Sequence, residues 1–183
     1  MPDQIAEKTI IRAQKGDQRA LAFLYDHFYE AVFRFFYYRT GSTATAEDLT
    51  SEVFIKMLKA LPQYQIRQTP FRAWLFKIAR FHAIDYYRSN NTRQEVALQA
   101  GPEHSTEPLE AVVDRNLSID RLRKALEQLP DDQRDVLILR FLLGMPIAET
   151  AATLHRSEDS IKGLQRRGLF AIRDIYAQLE FSQ

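Results

Sequence analysis

The chain has 183 residues, of which 45% are hydrophobic, with a formal net charge of +1 at pH 7 and no cysteine. This length allows one ordinary domain or two small ones, and the hydrophobic content excludes a largely disordered chain. The lack of cysteine excludes disulfides, zinc–thiolate sites and thiol catalysis. No signal-peptide pattern and no apolar run near the ~20 residues that cross a bilayer are visible, so we expect a cytoplasmic protein without membrane insertion.

The apolar period is close to 3.6 residues almost throughout, which predicts an all-α fold. In the N-terminal half, helices are predicted over residues 4–15, 18–39, 45–61 and 70–88. Asp17 is the expected N-cap of the second helix, and Gly41 follows its end. Thr45 is the expected N-cap of the third helix, with Asp48 completing a capping-box arrangement.

A segment without helical periodicity follows, over residues 89–116. It is rich in Asn, Gly and Pro, which predicts a flexible linker. Between residues 94 and 114 it has no Lys or Arg and carries five acids, Glu95, Glu103, Glu107, Glu110 and Asp114. The sequence therefore predicts two small helical domains, 1–92 and 117–183, joined by an acidic linker over 93–116.

The C-terminal domain has the pattern of a helix-turn-helix. Helices over 118–129 and 131–144 precede a short helix over 146–154, a tight turn at His155 and a long helix capped by Ser157. The long helix has an apolar stripe, formed by Ile161, Leu164, Gly168, Ile172 and Ile175. Its other side is polar and basic, which is typical of a helix that enters the DNA major groove. The candidate DNA-binding residues are Arg156, Asp159, Ser160, Lys162, Gly163, Arg166 and Arg167.

The helix predicted over residues 70–88 has an outward face that combines cations with aromatic rings. Cations neutralise phosphates and rings stack on bases, so this face fits a nucleic-acid strand with unpaired bases. Trp74 lies at the edge of the face, and the alternative that it is a core residue stays open. His82 lies on the apolar stripe, which favours a structural role. The candidate DNA-binding residues are Arg72, Trp74, Lys77, Arg80, Phe81 and Arg88.

Three stretches resemble motifs of the extracytoplasmic-function sigma factors, the small two-domain class of bacterial sigma factor. Residues 46–56, with the sequence AEDLTSEVFIK, are similar to the family's EDLxxEVF helix. Residues 71–80, with the sequence FRAWLFKIAR, resemble the WLxxIAR promoter-melting helix. Residues 129–136, with the sequence LPDDQRDV, resemble the LPxxxRxV opening of the C-terminal DNA-binding domain. Together the likeness covers nearly the whole chain.

The resemblance implies a promoter-specificity subunit of RNA polymerase that has no cofactor, no metal and no catalytic residue of its own. Its partners would be the core polymerase (through the coiled coil of the largest subunit and the flap region), promoter DNA in double-stranded and locally single-stranded form, and an anti-sigma factor. The melting helix and the 62–69 loop would act at the −10 element, and residues 159–167 at the −35 element. The linker would thread through polymerase channels. Core docking would use Asp48, Glu52, Val53, Phe54 and Lys56.

Three positions depart from the family pattern. Phe81 stands where Asn is frequent, which favours stacking or wedging over a base-edge hydrogen bond. His155 stands where the turn usually has Gly, so we expect the turn either to be strained or to adjust its geometry there. Leu164-Gln165 replaces a frequent Arg-Leu, so the −35 specificity should be individual.

Two alternatives explain less of the sequence. A stand-alone helix-turn-helix transcriptional regulator leaves the basic aromatic helix without a role. A helical adaptor that does not bind DNA leaves both basic faces without a role. An enzyme has the least support, because no nucleophile–base constellation, phosphate loop or metal-ligand spacing appears.

Overall fold

The computed structural model describes residues 6–66, 68–96 and 113–180, and within these ranges it contains eight α-helices and no strand. The predicted all-α fold is confirmed. A 3-10 turn over Leu61–Gln63 follows the third helix, and a π-helical segment over Ile138–Leu142 continues the sixth. The helices are α1 (Glu7–Gln14), α2 (Gln18–Thr40), α3 (Thr43–Ala60), α4 (Phe71–Val96), α5 (Val113–Glu127), α6 (Asp131–Leu137), α7 (Ile147–Leu154) and α8 (Glu158–Glu180).

The helix ends follow from local chemistry, and one predicted cap is replaced by another residue. Asp17 caps α2 as predicted, because its Oδ1 accepts from the backbone N–H groups of Arg19 and Ala20 at 3.0 and 3.1 Å. Gly41 ends α2 in the left-handed region, with φ 69°. The predicted Thr45 cap of α3 is wrong: Ser42 is the cap, and its Oγ accepts from the Thr45 N–H at 3.2 Å. The left-handed turn at Gly41 redirects the chain so sharply that α3 begins two residues later.

The predicted linker is shorter than the sequence suggested. Helix α4 continues to Val96 and α5 begins at Val113, so residues 89–96 and 113–116 are helical. Asn90 and Asn91 do not end α4, because an interior Asn costs only about 0.7 kcal/mol relative to Ala. Residues 97–112, with Glu103, Glu107 and Glu110, lie outside the described residues.

Aromatic and aliphatic side chains fill the core of the N-terminal bundle, α1–α4. Phe35 of α2 and Phe76 of α4 are fully buried and meet edge to face, with ring centroids 5.8 Å apart. Such aromatic pairs contribute about 0.5–1.5 kcal/mol beyond their buried area. Buried residues from three helices complete this core: Leu24, Phe28, Val32, Val53, Phe54, Met57, Phe71 and Leu75.

The two helical halves pack directly on each other. Helix α7 lies against α4, where the buried Thr153 hydroxyl donates to the Ala73 carbonyl at 3.4 Å. Buried side chains of both halves, among them Phe76 of α4 and Ile138 at the end of α6, belong to one continuous apolar cluster. The sequence pattern predicts two domains on a flexible linker and gives no indication of this contact.

Candidate nucleic-acid interface

Helices α7 and α8 form the helix-turn-helix that the sequence predicts. Among the described residues, His155 is the one non-glycine residue with positive φ, at φ 51° and ψ 47°. The turn then closes through a hydrogen bond from the Arg156 N–H to the Ala151 carbonyl, 3.0 Å long. Ser157 caps α8 as predicted, because its Oγ accepts from the Ser160 N–H at 3.2 Å. Of the two expected outcomes, the strained turn is therefore the one present at His155.

Helix α8 is two-faced. Ile161, Leu164 and Gly168 of the predicted apolar stripe are buried, and Ile172 and Ile175 are partly buried against the same core. A Cβ at Gly168 would lie 3.1 Å from Leu137 Cδ1, so glycine allows α8 to approach α6 closely. On the other side Asp159, Lys162, Arg166 and Arg167 are exposed, while Ser160 and Gly163 are half-buried. The side of α8 that faces solvent is thus polar and basic.

The outward face of α4 is more enclosed than the sequence suggested. Phe81 is 51% exposed and Arg88 is exposed, but Lys77 is half-buried. Trp74 is half-buried and packs on Tyr64 and Phe71, with ring centroids 4.7 and 5.4 Å away. At least part of the Trp74 ring therefore packs in the core, which agrees with the alternative that Trp74 is a core residue. Phe81 is the exposed aromatic ring of this face.

The loop before α4 is pinned by Tyr64. The Tyr64 hydroxyl donates to the Thr69 carbonyl across the loop. The Gln14 side chain of α1 donates to the carbonyls of Leu61 and Tyr64 at 3.0 and 2.7 Å. Burial, with a smaller effect of Glu7, raises the pKa of Tyr64 to about 12, so its hydroxyl remains a donor at neutral pH.

Two arginines of the N-terminal bundle are held by three aspartates at the start of α6, a group that we term the acidic clasp (Asp131, Asp132 and Asp135). Arg80 donates to Asp132 Oδ1 at 2.7 Å and to Asp135 Oδ2 at 3.0 Å. Arg39 donates to Asp135 Oδ1 and, at 3.2 Å, to Asp131 Oδ1. The side chains of Arg39 and Asp135 are 1% and 0% exposed. A buried ion pair therefore crosses the contact between the halves.

Two further candidate DNA-binding arginines also have protein partners. Arg156, in the helix-turn-helix turn, donates to Asp132 Oδ2 of the acidic clasp. Arg72 of α4 donates to the carbonyl of Leu143, just before the turn at Gly144. With Arg80, three of the cations predicted to contact DNA thus lie at or beside the contact between the two halves.

Helix α3 presents a mixed acidic and apolar stripe to solvent. Asp48 and Glu52 are exposed, as their predicted surface role requires. Ile55 and Leu58 follow on the same side of the helix and are 51% and 46% exposed. Exposed large apolar residues beside acids are typical of a surface that binds another protein.

Comparison with known proteins identifies the family. The family model of Sigma-70 region 2 matches residues 24–93, and that of Sigma-70, region 4 matches residues 119–169. The sigma factor BldN of Streptomyces coelicolor is 38% identical over 161 residues, which are 86% of this chain and 61% of that protein. SigX of Bacillus subtilis is 34% identical over 157 residues, covering 82% of this chain and 80% of that protein. Both are named ECF RNA polymerase sigma factors.

The chain belongs to the extracytoplasmic-function sigma factors. It is an RNA polymerase sigma factor, and neither the stand-alone regulator nor the adaptor is favoured. Solved structures support the fold. CnrH, in complex with the cytosolic domain of CnrY, has a TM-score of 0.70 at 23% identity, over 93% of this chain and 96% of that one. RpoE of Bartonella quintana, in complex with the anti-sigma factor NepR, has a TM-score of 0.71 at 20% identity, over 85% and 96%.

Two of the sigma factor's predicted core-docking residues need correction. Val53 and Phe54 are 0% and 4% exposed, so they are core residues of region 2 and cannot contact polymerase directly. About three to four helix positions in every two turns face inward in a packed bundle, and the EVF motif places its apolar pair there. Ile55 and Leu58 were not predicted as docking residues, although Ile55 directly follows the motif. The available signal was an apolar residue out of step with the buried stripe.

Lys56 and Glu52 of the sigma factor's α3 are tied to His82 of α4. The Lys56 Nζ lies 2.7 Å from His82 Nδ1, and the Glu52 Oε2 lies 2.8 Å from His82 Nε2. His82 is buried as its stripe position predicts, and burial, followed by the charge of Lys56, lowers its pKa. A neutral imidazole ring can accept a hydrogen bond from the Lys56 ammonium group. His82 therefore connects α3, the candidate docking helix, to α4, the candidate melting helix.

Across the parts of the chain that the structure describes, no helix combines the length and apolar character needed to span a bilayer. In those same parts, no group of three or more His, Asp or Glu side chains is arranged to hold a metal ion.

Replacing His155 by glycine is expected to stabilise region 4 of the sigma factor by about 0.5–1 kcal/mol, because glycine adopts positive φ without the steric cost that an L-residue bears. Thermal unfolding followed by circular dichroism measures the change. Arg156→Gly is the contrasting variant: it alters the next residue in the turn, where φ is not positive, and it also loses the bond to Asp132, so it should be less stable than the parent. Equal or lower stability of His155→Gly would contradict a strained turn.

Proposed function

We propose that this sigma factor reads the −35 element with the exposed side of α8, opens the −10 element with the outward face of α4 and docks on core polymerase through the exposed stripe of α3. The observation that carries the proposal is the two-faced recognition helix, whose Ile161 and Leu164 are buried while Lys162 and Arg166 face solvent. It acts by binding energy alone, with no catalysis of its own, and in the cytoplasm.

Run-off transcription tests the function. Purified sigma factor and bacterial core polymerase are incubated with genomic DNA fragments, and the 5′ ends of the transcripts are sequenced. We expect start sites that share two sequence elements upstream and that vanish when the sigma factor is omitted. A protein that binds duplex DNA alone and never gives core polymerase specific start sites would instead be a stand-alone regulator.

Charge and exposure support the assignment of α8 to the −35 element. Within the described residues, Lys162 is paired only with Asp159 on its own helix, at 3.1 Å and with 60% and 90% of the two side chains exposed. Such an exposed pair contributes little and separates readily when a phosphate or base competes. Gly163, between the two basic residues, allows close approach of the DNA.

Replacing Arg166 by alanine is expected to weaken −35 binding by about 1–3 kcal/mol if it reads a base bidentately, and Lys162→Ala by a similar or smaller amount. Competition binding of the holoenzyme to promoter variants measures both. Arg173→Ala, an exposed arginine two turns further along α8, is the matched control. Unchanged affinity in Arg166→Ala and Lys162→Ala would remove α8 from the −35 contact.

Replacing Phe81 by alanine is expected to impair promoter opening more than duplex binding, because a lost ring–base stack costs about 1–3 kcal/mol. Permanganate reactivity of unpaired thymines in the holoenzyme–promoter complex measures opening. Trp74→Ala is a weaker test, since Trp74 also packs on Tyr64. The exposed Phe170 of α8 gives the control, Phe170→Ala. Full reactivity with Phe81→Ala would exclude stacking by this ring.

An anti-sigma factor is the expected regulatory partner. A solved structure with the same fold, RpoE of Bartonella quintana, is of a sigma factor in complex with the anti-sigma factor NepR. Core polymerase and promoter DNA complete the set of partners.

A further inference from the structure

His82 of α4 lies between two charged side chains of the candidate docking helix. Glu52 and Lys56 are one turn apart on α3, in the order that favours a direct ion pair within a helix. Each contacts the His82 ring instead: Lys56 Nζ lies 2.7 Å from Nδ1, and Glu52 Oε2 lies 2.8 Å from Nε2. We term these three residues the imidazole bridge. The ring takes the place that a direct pair between Glu52 and Lys56 would have.

The histidine is the fixed part of the imidazole bridge. Its side chain is 9% exposed, and the ring of Phe36 on α2 meets it edge to face, with centroids 6.2 Å apart. Glu52 and Lys56 are exposed, and 57% of the Glu52 side chain is accessible. Long exposed side chains sample many rotamers, and a contact with a buried ring restricts them. His82 therefore holds two surface charges from beneath.

The imidazole bridge needs a neutral ring. Burial and, after it, the charge of Lys56 lower the pKa of His82, while Glu52 and Asp85 act in the opposite direction. A neutral ring that accepts from Lys56 at Nδ1 carries its proton on Nε2, where it faces Glu52. Apart from the Glu52 contact, Nε2 has no hydrogen-bond partner among the described residues. One tautomer of the ring thus serves both charged neighbours.

The imidazole bridge borders a groove on the candidate docking surface. This groove, of about 510 Å³, lies between α3 and α4, and its lining includes Asp48, Asp85 and all three residues of the bridge. Three carboxylates around one groove favour a cationic side chain of a partner. A direct pair with Lys56 would neutralise the Glu52 carboxylate and would have to be broken on binding. The ring prevents this loss because it holds the two side chains separately.

We propose that His82 is a positioning residue for core docking: its neutral ring fixes Glu52 and Lys56 on α3 and so orders the docking surface before polymerase binds. The inference rests on the proposed docking through α3. Ordering a long side chain at an interface opposes binding, and a side chain that is already ordered avoids that cost. A protonated ring cannot accept from Lys56, so docking weakens as the pH falls below the ordinary histidine pKa of 6.5.

The affinity for core polymerase tests this role. Full-length sigma factor labelled at its N-terminus is titrated with core polymerase and followed by fluorescence anisotropy. His82→Leu fills the buried site without polar atoms, and we expect it to bind about fivefold more weakly than the parent at neutral pH. His82→Gln should recover most of this loss, because an amide both accepts and donates. His27→Leu removes an exposed histidine of α2 and is the matched control, with parent-like affinity expected. Circular dichroism shows whether each variant keeps its helices.

A pH series separates positioning from packing. The affinity ratio of the parent to His82→Leu should fall from about five towards one as the pH is lowered from neutral to about 5, because only the parent loses a neutral ring at this position. The ratio of His82→Gln to His82→Leu should stay constant. A parent-to-leucine ratio of one at neutral pH, or the same ratio at every pH, would overturn the proposal.

A double-mutant cycle tests the Glu52 side of the imidazole bridge. Glu52→Gln should weaken core binding in the parent and have a smaller effect in His82→Leu, where the carboxylate is no longer held. Additive effects of the two changes would also overturn the positioning role.

Ile55→Asp reports on the proposed function separately, since Ile55 is 51% exposed and lies outside the imidazole bridge. If Ile55→Asp and Glu52→Gln both bind core polymerase as the parent does, docking through α3 is wrong and the inference falls with it. If these two variants bind more weakly while His82→Leu binds as the parent does, the inference alone is wrong.

Discussion

Replacing Asp135 by alanine is expected to lower the free energy of unfolding by about 3–5 kcal/mol, because it leaves a buried arginine without its counter-charge. Arg39 is the buried arginine that would lose its partner. Its side chain is 1% accessible, and Asp135 and Asp131 are its carboxylate partners. Urea unfolding of the full chain, followed by circular dichroism, measures the change.

The control and a double variant make the Asp135 result specific. Asp120→Ala removes an exposed carboxylate from region 4 and should change stability by no more than about 0.5 kcal/mol. Combining Arg39→Met with Asp135→Leu removes both charges, and should recover much of the loss, since apolar replacement of a buried pair is often neutral. If Asp135→Ala unfolds at the same urea concentration as the control, the buried pair does not stabilise the fold.

Replacing Ile55 by aspartate is expected to weaken binding to core polymerase about 30-fold, and Leu58→Asp by a similar factor, as loss of an interface hot spot of about 2 kcal/mol implies. Both side chains are about half exposed, so the fold should tolerate the change. Fluorescence anisotropy of labelled sigma factor titrated with core polymerase measures the affinity.

Ile11→Asp is the matched control for these two variants. Ile11 lies on α1, is 39% exposed and is off the α3 stripe. It should bind core polymerase as the parent does. Parent-like affinity in both Ile55→Asp and Leu58→Asp would mean that α3 does not dock through its apolar stripe.

Local features of the fold could be predicted from the sequence, because they depend on near neighbours in the chain. The Asp17 and Ser157 caps, the end of α2 at Gly41 and the buried stripe of α8 all follow from residues within a few turns of one another. The Thr45 prediction failed within this range because Ser42 and Thr45 are both good caps, and only the geometry after Gly41 chooses between them.

Long-range contacts could not be predicted, because they leave no period in the sequence. Arg80 and Asp135 are 55 positions apart, and Arg39 and Asp135 are 96 apart. An arginine on an outward face has the same pattern whether it meets solvent, DNA or another domain. The role of the candidate −10 cations therefore stays a prediction, and the contacts of Arg72 and Arg80 with region 4 became visible only in three dimensions.

Gly168 has a consequence for how the recognition helix evolves. Its missing side chain sets the spacing between α8 and α6, with Leu137 only 3.1 Å from where a Cβ would be. Even one added methyl group would act as a wedge on the buried side of the helix, opposite the candidate DNA-binding residues. Under the proposed function, such a change would alter the angle at which Lys162 and Arg166 meet the groove without touching a nucleotide, which separates the tuning of promoter geometry from the choice of bases.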